Sequence, residues 1–152
     1  MERPHGCHLR HGRFSEAGRI YLVTTVTAQR LRVFQDMTQA RTLVQVLRSA
    51  ASVGDAQTLA YVLMPDHLHW LMQLGERRSL SAVVGTIKSI SARRIAGLRW
   101  QAGFHDHALR RDEDLRAVAR YVILNPVRAG LVQRVGDYPH WDAVWLAQEK
   151  VP

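Results

Sequence analysis

The chain has 152 residues, of which 47% are apolar, and carries a formal net charge of +8 at pH 7. This length and composition fit one compact domain with its own core and argue against a disordered chain. No apolar span is long enough to cross a membrane, the first residues lack the apolar stretch of a secretory signal, and the single cysteine, Cys7, excludes an internal disulfide. We therefore expect a soluble, cytoplasmic protein with no membrane partner.

The positive charge comes almost entirely from arginine. Lysine and arginine together number 21 against 13 acidic residues, and the only lysines are Lys88 and Lys150. The planar guanidinium group binds phosphate through two parallel hydrogen bonds, so this excess favours a nucleic-acid partner. An arginine-rich surface without a partner would have the same composition, and charge alone does not separate the two interpretations.

The first half of the chain predicts three strands and a helix. Residues 19–27, RIYLVTTVT, are rich in β-branched and aromatic residues and predict a strand. Residues 37–52 have apolar positions at helical spacing, and residues 58–64 predict a second strand. The pair Pro65-Asp66 is a turn signal, so residues 67–74 are expected to return as the third strand of a hairpin.

The second half predicts a helix from Ser79, a short extended segment in GFHDHALR, and a helix in DEDLRAVARYVILN that stops at Asn125 before Pro126. The resulting order, β-α-β-β-α-β, indicates a ferredoxin-like α+β fold. Its antiparallel sheet is expected to carry helices on one face, with the last helix as a C-terminal addition. We treat residues 1–152 as one domain and residues 1–18 as a flexible basic arm.

The stretch LMPDHLHWLMQL contains two histidines one residue apart. Side chains at positions i and i+2 of a strand point to the same face, so His67 and His69 project together, away from Leu68, Trp70 and Met72. Two adjacent imidazoles suit a divalent metal with room for a further ligand and a substrate. A pair of ordinary surface histidines would have the same spacing.

Tyr121 and Asn125 form a second pair, four residues apart in ARYVILNPVRAG. This spacing places both side chains on one face of a helix, about one turn apart. A tyrosine hydroxyl can act as a nucleophile and form a covalent enzyme intermediate, and an asparagine oxygen can complete a metal shell. A packed tyrosine and a helix-ending asparagine would explain the pair equally well if it stood alone.

Four segments occur together in order: YVLMPDHLHWLMQL, FHDHALR, ARYVILNPVRAGLV and GDYPHWDAVW. In combination they resemble the REP-associated tyrosine transposases, which are single-tyrosine, IS200-like members of the HUH nuclease superfamily. The HUH name describes His, a bulky hydrophobe and His, which here are His67, Leu68 and His69. The resemblance runs over most of the chain, and it implies the ferredoxin-like fold that the order of elements predicts.

The resemblance implies a role for each motif residue. His67 and His69 correspond to the histidine metal ligands, Tyr121 to the nucleophile, and Asn125 to the third ligand one turn after it. The metal that the resemblance implies is Mg²⁺ or Mn²⁺, and imidazole ligands favour Mn²⁺. The activity implied is metal-dependent cleavage and joining of single-stranded DNA at palindromic hairpins, through a 5′-phosphotyrosine intermediate. The protein would act as a monomer or a homodimer, in association with the nucleoid.

The DNA contacts are predicted only from charge and from position near the motifs. The candidates are Arg19, Lys88, Arg93, Arg94, Asp106, His107, Arg110, Arg111, Arg120 and Arg128. Two alternatives to the transposase are a hairpin-binding module without catalysis and a replication or relaxase-type HUH nuclease. The intact histidine, tyrosine and asparagine set argues against the first, and a tyrosine that follows the histidines argues against the second.

Overall fold

The computed structural model describes residues 15–110 and 113–143. Residues 15–18 of the predicted arm are hydrogen-bonded to the domain. The Oγ of Ser15 accepts a hydrogen bond of 2.9 Å from the backbone N–H of Leu80, and the N–H of Gly18 donates to the carbonyl of Leu74. The rest of that arm, residues 1–14, lies outside the described residues, as does Arg111.

The described strands form one antiparallel sheet of five strands, in the order β4-β1-β3-β2-β5. The strands are β1 Ile20–Val26, β2 Ala56–Met64, β3 His67–Leu74, β4 His105–Ala108 and β5 Trp141–Ala143. The first four have the order and connections of the predicted ferredoxin-like fold, which is confirmed. The short strand β5, which pairs with β2, was not predicted.

The described helices are α1 Met37–Ser52, α2 Leu80–Arg94, α3 Leu115–Ile123 and α4 Asn125–Arg128, with short 3₁₀ turns at Ala28–Arg30, Val33–Gln35 and Val135–Asp137. Polar caps begin the three longer helices. The carboxylates of Asp36 and Asp114 each accept two backbone N–H groups, and the hydroxyl of Ser79 accepts one. In the described part of the chain, no helix has the length and apolar character needed to cross a bilayer.

One face of the sheet, here called the core face, packs against α1 and α2. Leu68, Trp70 and Met72 of β3 are buried there with Leu43 of α1 and Val83 of α2. The indole N–H of the buried Trp70 donates to the hydroxyl of Thr58 at 2.9 Å, so the large side chain is buried without an unsatisfied polar atom. The alternation predicted for β3 is therefore confirmed on this face.

The opposite face, here called the histidine face, carries His67 and His69. We expected helices on one face only, but α3 also covers part of this second face. Ala119 of α3 packs with Ala60 and Leu71, and other α3 and β2 side chains form a neighbouring cluster. The apolar clusters on this face are small, so the histidine face is only partly covered.

The predicted last helix is divided at Leu124. The first part, α3, ends at Ile123, and α4 begins at Asn125 with Pro126 in its first turn. Proline is tolerated there because a first-turn N–H has no partner within the helix. Tyr121 and Asn125 therefore lie on two successive helices, whereas a single helix ending at Asn125 was predicted.

The two ends of β3 are held in place by the backbone. At its start, the carbonyl of Pro65 accepts a hydrogen bond of 3.0 Å from the N–H of Phe34. At its end, the N–H of Gly75 donates to the carbonyl of Asp55 at 2.8 Å. A side chain at Gly75 would clash with the carbonyl oxygen of Gly54, so only glycine fits this approach.

Candidate active site

The two histidines of β3 lie against each other on the histidine face. Their ring centroids are 4.8 Å apart and the ring planes are nearly perpendicular. The adjacent strands fix this position, because His67 is paired with Val26 and Met64, and His69 with Thr24 and Val62. The strand positions predicted for the pair therefore bring the two imidazoles together.

Each histidine has one ring nitrogen engaged by the protein. The Nδ1 of His67 lies 2.7 Å from the carboxylate of Asp66, and the Nδ1 of His69 lies 2.9 Å from the hydroxyl of Thr24. An ionised carboxylate only accepts, so Nδ1 of His67 carries a proton, and Nε2 is the ring nitrogen that is left to face a metal. The hydroxyl of Thr24 allows the same tautomer at His69. Partners of this kind orient metal-ligating histidines in proteins.

Burial favours the neutral form of His69. Burial lowers the pKa of His69 to about 4, with smaller contributions from the nearby His67 and Arg128. Burial acts to raise the pKa of Asp66, but the hydrogen bonds and charges of His67 and Arg30 outweigh it, and its pKa lies below the usual value. At neutral pH the site therefore contains an ionised Asp66 beside His67, and a neutral His69 able to bind a metal.

Helix α3 brings Tyr121 to this part of the sheet. Val122, the next residue, packs with Val62 and Met64, which are the strand partners of His69 and His67. The Tyr121 side chain is 62% exposed, so its hydroxyl is accessible to a large substrate. The guanidinium carbon of Arg128 lies 3.8 Å from the centre of the Tyr121 ring, in a cation–π contact.

Asn125 begins α4 and lies half-buried beside the end of α3. Its side-chain nitrogen donates to the carbonyl of Val122 at 3.0 Å, which leaves the side-chain oxygen as its atom with ligand chemistry. Within the described ranges, no three His, Cys, Asp or Glu side chains form a cluster able to hold a metal. A third protein ligand at the histidine pair would therefore have to be another residue type, and Asn125 stays the predicted one.

Among the predicted DNA contacts that lie in the described ranges, Arg128 contacts Tyr121. Lys88 donates from its ammonium group to the carbonyls of Gln101 and Gly103 and so ties α2 to the loop before β4. The other candidates lie at the domain surface or at its edges. Arg93 and Arg94 are exposed in the last turn of α2, which packs on the core face, and Arg120 is exposed on α3. Arg19 pairs with Glu16 at 2.5 Å, and His107 lies 3.1 Å from the Glu113 carboxylate. Arg110 is exposed, and Asp106 is half-buried in β4.

Two residues of the site were not predicted. The Pro65-Asp66 pair indicated only a turn, yet Asp66 orients His67. Thr24 was one of several β-branched residues in a strand, yet its position opposite His69 places its hydroxyl against the ring. An acidic residue directly before the first histidine was the one available signal. The pairing of Thr24 depends on strand register and has no local signal.

The chain is similar to known proteins in both sequence and fold. Residues 18–122 match the family model described as IS200-like transposase. The REP-associated tyrosine transposase of Escherichia coli K12 is 33% identical over 53% of this chain, and a protein of Haemophilus influenzae named as a candidate member of that class is 32% identical over 55%. The chain spans only 50% and 57%, respectively, of the length of these two relatives.

A solved structure shows the same fold. It is a REP-associated tyrosine transposase bound to a REP hairpin, 26% identical to this chain, with a TM-score of 0.75. The match covers 92% of this chain and 86% of that one.

Proposed function

The chain belongs to the IS200-like transposase family, and we propose that it cleaves and rejoins single-stranded DNA at palindromic hairpins, with Tyr121 as the nucleophile and a divalent metal held by His67 and His69. The observation that carries this proposal is the pair of imidazoles in contact, each with Nδ1 engaged, beside a helix that presents an exposed tyrosine. A binding module has no need for this combination of oriented histidines and an accessible phenol.

The residues present fit a metal site of mixed nitrogen and oxygen ligands. His67 and His69 offer Nε2 atoms, and Asn125 offers its side-chain oxygen as the third ligand. Either Mg²⁺ or Mn²⁺ accepts oxygen ligands, and the two imidazoles favour Mn²⁺. When bound, such an ion supplies a Lewis acid that polarises the scissile phosphate.

Tyr121 performs the covalent step. Its phenolic oxygen attacks the phosphorus, the bond from phosphorus to the 3′ oxygen breaks, and a 5′-phosphotyrosine link forms. The phenolic proton is balanced by the proton that the departing 3′ hydroxyl gains. Because the phosphotyrosine is again a phosphodiester, a second 3′ hydroxyl can reverse the step and join two strands without ATP.

Arg128 assists Tyr121 in this proposal. Its guanidinium group lies over the phenol ring, 3.8 Å from the ring centre, and it acts electrostatically on His69. A cation that contacts the nucleophile and acts on His69 is placed to neutralise the charge of an incoming phosphate. The hairpin as substrate is supported by the net charge of +8 and by the similar protein that was solved with a REP hairpin.

The experiment is adduct formation. The full chain is incubated with labelled single-stranded DNA that contains a REP-type hairpin and flanking strand, with Mn²⁺, and denaturing electrophoresis detects a covalent protein–DNA species. Wild type should form the adduct, and Tyr121→Phe and a chelator should each abolish it. Tyr61→Phe is the matched control, because Tyr61 is half-buried against the core face, away from the histidine pair. This variant should form the adduct as wild type does.

Two results would contradict the proposal. An adduct that persists in Tyr121→Phe would assign the nucleophile to another residue. Tight hairpin binding without an adduct for any cleavage sequence tested, in Mg²⁺ and in Mn²⁺, would favour the hairpin-binding module instead.

A further inference from the structure

The segment that follows β1 has an unusual backbone. Gln29 and Arg30 are consecutive residues with φ of 56° and 52°, in the left-handed region that side-chain-bearing residues rarely adopt. Neither residue is a glycine, so the surrounding structure must impose this conformation. Backbone in this region persists where neighbouring contacts determine it, and such segments are frequent at functional sites.

Hydrogen bonds from buried residues hold this segment in place. Thr27 is fully buried, and its hydroxyl lies 2.8 Å from the carbonyl of Leu31 and 3.1 Å from that of Asp66. The N–H of Thr27 donates to the same Asp66 carbonyl at 2.9 Å, and the N–H of Ala28 donates to the carbonyl of Arg99 at 2.7 Å. The segment is thus held on one side by the turn at Asp66 and on the other by the backbone at Arg99.

Three arginines are exposed in this region. Arg30, Arg32 and Arg99 are all exposed, and we call them the arginine surface. Two acidic residues are near: Asp36, which caps α1, and Asp66, which pairs with Arg30. The surface lies at the end of β1 where Val26 is paired with His67, so it adjoins the histidine pair.

Arg30 connects this surface to the candidate metal site. Its side chain is 64% exposed, and its Nη1 lies 3.2 Å from Oδ2 of Asp66. The other oxygen of Asp66 lies 2.7 Å from Nδ1 of His67. One carboxylate therefore joins an exposed guanidinium to an imidazole of the site. Because a guanidinium has five N–H donors, Arg30 can keep this contact and bind a phosphate oxygen as well.

We infer that the arginine surface binds backbone phosphates of the DNA strand next to the scissile bond, and that Arg30 acts through Asp66 as a positioning residue for His67. This inference rests on the proposed function for its choice of DNA as the partner. Arg32 and Arg99 contribute charge to binding alone. Arg30 contributes both to phosphate binding and to the positioning of His67, because a bound phosphate and the Asp66 carboxylate together hold its guanidinium group in one orientation.

The binding part is tested by the salt dependence of affinity. Fluorescence anisotropy gives the affinity of the full chain for the labelled hairpin DNA over a range of KCl concentrations, with chelator present. Each lost phosphate contact should reduce the slope of log affinity against log salt by about 0.7 to 0.9. We expect this reduction in slope for Arg30→Ala, Arg32→Ala and Arg99→Ala. The matched control is Arg48→Ala, which replaces an exposed arginine of α1, the helix on the core face, and its slope should equal that of wild type.

The coupling part is tested by metal affinity and by rate. Mn²⁺ binding measured by calorimetry should weaken about 10- to 100-fold in Asp66→Asn and in Arg30→Ala, as is usual when the partner of a metal-ligating histidine is lost. Arg30→Lys should recover part of this loss. In single turnover at saturating DNA, both weakened variants should form the adduct more slowly, whereas the control Arg48→Ala should react at the wild-type rate.

The outcomes separate this inference from the proposed function. Slopes in all three arginine variants equal to that of Arg48→Ala would overturn the binding surface. Wild-type Mn²⁺ affinity in Arg30→Ala would overturn the coupling. If wild type formed no adduct but the slopes and Mn²⁺ affinities changed as expected, the catalytic proposal would fail while the arginine surface would stand.

Discussion

The two faces of the sheet use the same strands for different purposes. On the core face, Trp70 and its neighbours are almost fully buried against two long helices. On the histidine face, the polar pair His67 and His69 stands beside small apolar clusters and the nine-residue helix α3. Strand β3 contributes alternate residues to each face, so one stretch of chain serves both stability and chemistry.

This difference indicates where the protein can tolerate change. Burial of large apolar side chains supplies most folding stability, and the core face contains most of them. The histidine face keeps partly exposed polar groups, as a site for a large charged substrate requires. Substitutions on the core face should therefore act on folding, and those on the histidine face on binding and catalysis.

The largest expected effect is that of Trp70→Ala. Removal of this buried ring leaves a cavity and takes the donor from the Thr58 hydroxyl, so the free energy of unfolding should fall by about 3–5 kcal/mol. The measurement is urea unfolding followed by circular dichroism. His69→Ala, one position away on the other face, should cost only about 1 kcal/mol. Equal losses in the two variants would break the contrast between the faces.

A pH effect on stability should be specific to the histidine face. The pKa of His69 is about 4 in the fold against 6.5 unfolded, so between these values the unfolded chain binds a proton that the folded chain does not. The free energy of unfolding therefore keeps its full value with respect to His69 above pH 6.5. It decreases as the pH falls toward 4, by up to about 3 kcal/mol. Urea unfolding with chelator at several pH values should show a smaller acid loss in His69→Gln. Identical pH profiles would contradict this origin.

Two aspartate caps allow a matched comparison of the faces. Asp36 caps α1 and Asp114 caps α3, each with two backbone N–H donors. Replacement of either by alanine should lower the free energy of unfolding by about 1 kcal/mol. Only Asp114→Ala should also slow adduct formation, because α3 carries Tyr121. Parallel unfolding and single-turnover assays test this, and slower adduct formation in Asp36→Ala would count against it.

The smallest stability effect is expected for Thr24→Val. The change removes the hydroxyl beside His69 and keeps the β-branched shape, so the free energy of unfolding should fall by less than about 1 kcal/mol. Mn²⁺ affinity should nevertheless fall about 10-fold or more, since the ring loses the partner that orients it. Calorimetry measures this, and Thr24→Ser, which keeps the hydroxyl, should retain the affinity.

The sequence predicted the fold well where the pattern was local. Alternation in β3 assigned Trp70 to one face and His69 to the other, and the β-α-β-β-α-β order predicted the sheet. Strand β5 was not predicted, because three residues carry no periodic signal and its pairing with β2 is a contact between distant segments. The position of α3 on the histidine face likewise depends on Val122 packing with Val62.

The candidate site was predicted in part. The structure brings His67 and His69 into contact, but their role as metal ligands, and the roles of Tyr121 and Asn125, stay predictions. The partner Thr24 and the contact of Arg128 with Tyr121 could not be predicted, because each depends on how separate elements are placed in the fold. Asp66 directly precedes His67, and that local signal was interpreted only as a turn. Arg30 became prominent only through its pairing with Asp66.

The backbone contacts at both ends of β3 have a consequence for insertions and deletions. One residue gained or lost within this strand would shift every following side chain to the opposite face, because side chains alternate. Trp70 would then point to the solvent side and an imidazole would enter the apolar layer. The tight approach at Gly75 resists such slippage, since no other residue fits there. Length changes in β3 should therefore be tolerated less than any single substitution in it, and they should remove folding and activity together.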